Sequence, residues 1–238
     1  MPINQTALDR WLLTQALVWA VLIPAVAVWV EIEGPARPQF FVFGGVMLVS
    51  HIVLVRVLGA GRTVADGVTL VRGLALWICT FLAWSSGVIS WGLWVGLCLA
   101  VLADLLDGWC ARRFGASDAG AMLDMETDQA TTLSLAFLLH MNGVGPWVYV
   151  LPGFRYAYLL LMRGLQIRAA DPKPCDGDNR RAKVICALMM ILLLAACAPF
   201  ATPLLANIMA AVCVLLLAYS YSSDVRFLVV QRRVGQQR

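Results

Sequence analysis

The chain has 238 residues, of which 61% are hydrophobic and only 13% charged, with a formal charge of +4 and a mean hydropathy of +0.80. A soluble domain carries about 25% charged residues, so a soluble globular protein is excluded. There is no base-reading motif and no basic stripe with interleaved aromatics, which excludes a nucleic-acid partner; the positive charge instead fits attraction to anionic lipid headgroups.

Apolar runs of about 17–25 residues, the length that crosses a bilayer as a helix, recur along the chain. They predict an all-α polytopic membrane bundle with spans over 11–30, 40–58, 67–85, 88–106, 121–141, 146–166, 182–199 and 203–223. The first run is too long for a signal-peptide core, and Val30-Glu-Ile-Glu33 follows it without a small-residue cleavage pattern, so it is kept as a helix. The first two spans carry no buried charge and form an extension, residues 1–62, ahead of a six-helix unit over 63–238 whose first helix begins near Gly67. The fourth span ends in Asp104-Leu-Leu-Asp107-Gly108-Trp-Cys-Ala111-Arg112, and the fifth opens with Gly120-Ala-Met-Leu-Asp124-Met-Glu-Thr-Asp128. Arg155 falls inside the sixth span, and Arg168 to Arg181, rich in Pro, Gly and Asp, reads as a loop before the seventh.

The turns at Ser85–Ser90, Met141–Pro146 and Ala198–Pro203 are almost uncharged, whereas all of the 18 basic residues except Arg37 and Arg155 gather at the alternate ends. By the positive-inside rule both termini and the acidic motif face the cytoplasm. The seven cysteines lack paired metal spacing and read as packing residues, with Cys110 and Cys175 facing a reducing compartment. His51 and His140 are single and far apart, and read as packed or interfacial histidines.

Four carboxylates in an apolar chain need a reason, because a charge at the centre of a membrane helix costs roughly 2.5–3.5 kcal/mol even on lenient scales. At 100° per residue Asp104, Asp107, Gly108 and Ala111 share one face of the fourth span, and Asp124 and Asp128, at i and i+4, share a face of the fifth. Two sequential spans joined by a tight connection pack antiparallel, which gathers the acids between them. Hard oxygen ligands in that number suit Mg²⁺ or Mn²⁺, and two such ions form the clamp that stabilises attacking and leaving oxygens at phosphorus. Gly108, Ala111 and Gly120 are small enough for a nucleotide or diphosphate to approach the backbone, and Arg112 offers its fork to phosphates. Asp104 alone would read as a solvated interfacial residue, and the small residues as helix-packing positions. Asp124 and Asp128, deeper and with few local bases to pair them, tip the reading to function.

The pattern resembles the signature of the CDP-alcohol phosphotransferases (CDP-alcohol phosphatidyltransferases), Asp-x-x-Asp-Gly-x-x-Ala-Arg followed by Gly-x-x-x-Asp-x-x-x-Asp. Every fixed position is present, from Asp104 to Asp128; the seven-residue spacer between Arg112 and Gly120 is the one departure within it. Thr69-Leu-Val-Arg72 resembles the Thr-x-x-Arg that opens the family's first core helix, Arg155 and Arg163 its recurring Arg pair, and Arg181-Ala-Lys183 its basic Lys-x-Lys-Thr, with Val184 in place of the threonine. The likeness covers roughly 65–225. It implies a six-helix membrane enzyme that transfers a substituted phosphate from a CDP-alcohol, usually CDP-diacylglycerol, to an acceptor alcohol and releases CMP. On this resemblance Asp104, Asp107, Asp124 and Asp128 hold two metal ions, Asp128 is the general base, and Gly108, Ala111, Arg112 and Gly120 join Asp107 in contacting the CDP moiety. It also implies a homodimer.

Arg155, costly if unpaired within a span, either pairs with a motif aspartate or faces the cavity; with Arg163, Arg181 and Lys183 it leans the acceptor toward a phosphorylated polyol such as glycerol 3-phosphate. A transporter is the alternative reading, but it would spread its acids over several helices, and here they sit on two adjacent helix ends. The Gly-x-Gly-Asp of an intramembrane aspartyl protease is absent. The intact aspartate set argues against a catalytically dead scaffold.

Overall fold

The computed structural model describes residues 5–33, 37–57, 63–114, 118–165 and 176–236. Apolar runs of this length satisfy their backbone only as helices in lipid, and eight helices form: α1 Gln5–Glu33, α2 Arg37–Val57, α3 Val64–Ser86, α4 Trp91–Phe114, α5 Asp118–Met141, α6 Val150–Gly164, α7 Asp176–Ala196 and α8 Pro203–Gln236. A 3₁₀ turn, Pro146–Tyr149, leads into α6, and no strand occurs among the described residues. Each expected span has its helix, so the chain is an all-α membrane helical bundle.

Among the described residues, three of these helices contain stretches long and apolar enough to cross a membrane outright: Arg10–Glu33, Val64–Ser86 and Pro203–Phe227. In α4, α5 and α7 polar groups interrupt the apolar run. The apolar part of α4 stops at Asp104, α5 carries Asp124, Glu126 and Asp128, and α7 opens with Asp176, Asp178, Arg180, Arg181 and Lys183. The helix ends also differ from the sequence expectation: α4 continues through the acidic motif to Phe114, and α8 runs well past residue 223.

The start of α3 is fixed locally. Thr63 is its N-cap: the Thr63 hydroxyl accepts from the Asp66 N–H at 3.1 Å, and the Asp66 carboxylate accepts from the Thr63 N–H at 3.2 Å. This reciprocal box satisfies two of the donors that a helix start leaves open. Gly87, at φ +69°, ends the helix in the left-handed conformation that only glycine adopts without strain.

The core is organised around α5, whose residues Ala130 to Leu139 are all buried. Its neighbours are α3, α2, α6 and α7, while α3 also packs along α4, α7 along α8, and α1 along α6 and the 3₁₀ turn. Trp19 of α1, fully buried, stacks on Tyr156 of α6 with ring centroids 5.9 Å apart. Leu74, Ile78, Leu99, Ile191, Leu204 and Leu215 face outward, the arrangement expected where the surrounding medium is hydrocarbon.

Candidate active site

Three helices supply the site. Asp104 comes from the last turns of α4, Asp124 and Asp128 from successive turns of α5, and Arg72 from the buried face of α3 that also carries Thr69 and Leu76. Arg72 bonds to Asp104, and through its other terminal nitrogen to Asp124 Oδ1 at 2.9 Å and Asp128 Oδ1 at 3.1 Å. The arginine side chain is 3% exposed, against 46%, 42% and 35% for the three carboxylates. The acids therefore open toward solvent from one side while the guanidinium closes the floor. A charge-assisted fork of this kind holds several carboxylates in fixed relative positions.

The net charge of the cluster suits it to a cation. The three described carboxylates carry −3 and Arg72 +1, leaving −2 among these four side chains. One oxygen from each of Asp104, Asp124 and Asp128 lies within 4.8 Å of the others. An all-oxygen, partly open, negatively charged set of donors fits Mg²⁺ or Mn²⁺ and does not fit a metal that prefers imidazole or thiolate.

Beside Asp128 lies a cavity of ≈ 220 Å³ between α5, α6, α7 and α8. Gln129, Thr132, Arg155, Ser220, Tyr221 and Asp224 supply its polar lining, with Met125, Leu151, Ile185 and Met189 among the apolar walls. Gln129 donates to the Pro152 carbonyl at 2.8 Å and so ties α5 to α6 at the cavity's edge. Arg155 forms an ion pair with Glu126, both largely buried (12% and 4% side-chain exposure), and its Nε is buried without a hydrogen-bond partner among the described residues. Arg181 binds Ser223 and, at 3.1 Å, Asp224, and lies over the Tyr219 ring.

A model of one protein family, CDP-alcohol phosphatidyltransferase, matches residues 62–220. The chain belongs to the CDP-alcohol phosphatidyltransferase family. The curated proteins and the solved structures gave no significant match. Membership supports transferase activity on a CDP-alcohol donor with an alcohol acceptor, in phospholipid synthesis at a membrane. The matched region takes in α3 to α7 and most of α8, and leaves α1 and α2 outside it.

Set against the family motif, Asp104, Asp124 and Asp128 come together, but among the described residues α4 and α5 both pack along α3 rather than along each other, and Arg72 of α3 joins their acids. Gly120 lies in the first turn of α5. Asp107, Gly108, Ala111 and Arg112 are on the last turns of α4, and their side chains lie outside the described residues. The four basic residues grouped from the sequence have different surroundings. Arg155 lines the cavity, Arg181 is held by a carboxylate that lines it, and Arg163 and Lys183 are exposed. Among the described residues Arg155 pairs with Glu126 and with none of the motif aspartates.

Two residues that shape this candidate site, Arg72 and Glu126, were not singled out as functional from the sequence. Arg72 was visible only as part of Thr-x-x-Arg; its signal was an arginine inside a strongly apolar run. Glu126 was passed over between two aspartates. At 200° from Asp124 it points to a different neighbour, and that geometry was the usable clue.

Proposed function

We propose that the chain transfers a phosphatidyl group from CDP-diacylglycerol to an acceptor alcohol and releases CMP. The observation that carries this reading is the convergence of Asp104, Asp124 and Asp128 on buried Arg72, with the cavity opening at Asp128. In this reading Asp104, Asp107, Asp124 and Asp128 hold two divalent ions, Mg²⁺ or Mn²⁺. Bound there, the ions supply positive charge to the diphosphate of the donor. Gly108, Ala111, Arg112 and Gly120 contact the CDP moiety together with Asp107.

The acceptor occupies the cavity between α5 and α8. Asp128, at its wall, accepts the proton of the acceptor hydroxyl as that oxygen bonds to the phosphorus of the diacylglycerol phosphate. The bond from that phosphorus to the bridging oxygen breaks, and CMP leaves with the electron pair. Arg72, held by three carboxylates, fixes the base in place and offsets charge around it. The unpartnered Nε of Arg155 favours an anionic group on the acceptor, as in glycerol 3-phosphate or another phosphorylated polyol. Arg163, Arg181 and Lys183 add positive potential at that end of the bundle. In this reading both termini and the site face the cytoplasm, which the one-sided distribution of basic residues supports.

The test is CMP release by purified protein in detergent with CDP-diacylglycerol, Mg²⁺ or Mn²⁺, and a panel of acceptor alcohols. Acceptor-dependent release that EDTA abolishes supports the reading and names the acceptor. Folded protein that releases no CMP with any acceptor refutes it.

A further inference from the structure

A second cavity, of ≈ 350 Å³, lies on the opposite side of the α3–α5 contact, where α2 supplies its outer wall. Leu48 of α2 and Leu74 of α3 form its mouth, and both are more than half exposed, at 60% and 63%. Since Leu74 lies on a helix that spans the membrane, the mouth opens into hydrocarbon. The interior is apolar: Met47 and Ala130 are buried, and Trp77 lies along one side. Water needs two to four polar partners to be held in such a space, and these walls offer few.

The polar end is small and specific. His51 Nδ1 faces the Met47 carbonyl at 2.9 Å, and Nε2 lies 3.3 Å from the Thr127 hydroxyl, which itself donates to the Leu123 carbonyl at 2.8 Å. Thr127 immediately precedes Asp128, and Thr69, also lining the cavity, is one turn from Arg72. The groove and the acidic cluster therefore occupy adjacent faces of the same two helices at the same depth. From Thr69 to Trp77 the groove follows α3 for roughly 12 Å, at about 1.5 Å per residue, along the membrane normal as a lipid tail runs.

We propose that this groove receives one acyl chain of the diacyl donor, so that α2, a helix outside the matched family region, builds a lipid-tail site. This rests on the donor assigned above. A donor whose phosphate sits at the acidic cluster has its glycerol only a few bonds away, and its chains must leave into the bilayer. The groove is a hydrocarbon-lined path at that depth, and its histidine–threonine end matches the ester oxygens where a chain begins.

Two measurements test this. The first compares donors with dioleoyl and dihexanoyl chains, using Leu48→Trp and Leu74→Trp to fill the mouth and Val71→Trp, equally exposed but outside the groove, as the control. Filling the mouth is expected to raise KM for the long-chain donor about fivefold more than for the short-chain donor, the equivalent of displacing one or two buried methylenes. Val71→Trp is expected to change neither. The second uses a CDP-lipid with a photoreactive group near the end of one acyl chain. Labelling of α2 and α3 peptides is expected, displaced by unlabelled donor and not by equal phosphatidylcholine. Equal KM changes for both donors, or displacement by phosphatidylcholine as effective as by donor, overturn the proposal. Absence of CMP release from either donor by the unsubstituted protein would instead strike the assigned reaction, while labelling, which needs no turnover, would still test the groove.

Discussion

Arg72→Met removes the one cation that the described acids share at the site. The formal charge of the four-residue group goes from −2 to −3, and three carboxylates lose a partner that held them 2.9–3.1 Å from a common nitrogen, or at the other end of the same fork. Removing one partner of a fully buried pair costs about 3–5 kcal/mol, but these carboxylates are 35–46% exposed, so water screens part of the loss. A destabilisation of about 2 kcal/mol is the working figure, which corresponds to roughly 4–8 °C in Tm for a chain of this size. The assay is thermal unfolding in detergent with EDTA and with increasing Mn²⁺. In EDTA the variant is expected to melt about 4–8 °C below the parent. Because three unneutralised acids bind a divalent cation more tightly than the same acids with an arginine among them, Mn²⁺ is expected to raise the variant's Tm by more than the parent's. Arg72→Lys, which keeps the charge and loses the fork, falls between. An unchanged Tm in EDTA, or the same Mn²⁺ shift in both proteins, would refute the counter-charge role of Arg72.

Asp128→Asn is expected to lower the rate of CMP release by about 10²–10⁴-fold, the range for losing a general base, with the fold intact by size-exclusion chromatography; activity within tenfold of the parent would remove Asp128 from that role. Glu126→Gln leaves Arg155 buried without its counter-ion and is expected to lower stability by about 3 kcal/mol. The double variant Glu126→Gln/Arg155→Met should recover much of that loss, and a double-mutant cycle by thermal unfolding reads the coupling. Gly44→Ala would place a methyl 1.5 Å from Cη2 of Trp77, so it is expected to cost about 1–3 kcal/mol through overpacking of α2 on α3. Trp77→Leu in the same chain should restore the Tm if that clash is the cause.

Much of the architecture was legible because lipid imposes a simple rule: each apolar run long enough to span became a helix. The acidic site was legible for a related reason, since Asp104, Asp124 and Asp128 are expensive in such runs and the spacing puts Asp124 and Asp128 on one helix face. The partners of the charges were not. Arg155 and Arg181 look alike as basic residues in a list, yet each is claimed by a carboxylate from another helix, Glu126 on α5 and Asp224 on α8. Those pairings depend on how helices rotate against one another, which a single sequence leaves open. Arg72 was hidden the same way. Its sequence neighbours are apolar, and only the fold brings three acids from two other helices to it. The groove between α2 and α3 had no sequence signal at all, because it arises where Gly44 lets Trp77 lie against the α2 backbone.

The stacking of Trp19 on Tyr156 sets an order of events during synthesis. More than a hundred residues separate the two rings along the chain, so the first helix is made, and held in the membrane, long before the surface it packs against exists. Its apolar face must be kept by lipid or by an insertion partner until α6 has followed. The burial of Trp19 is therefore completed only once α6 has been made.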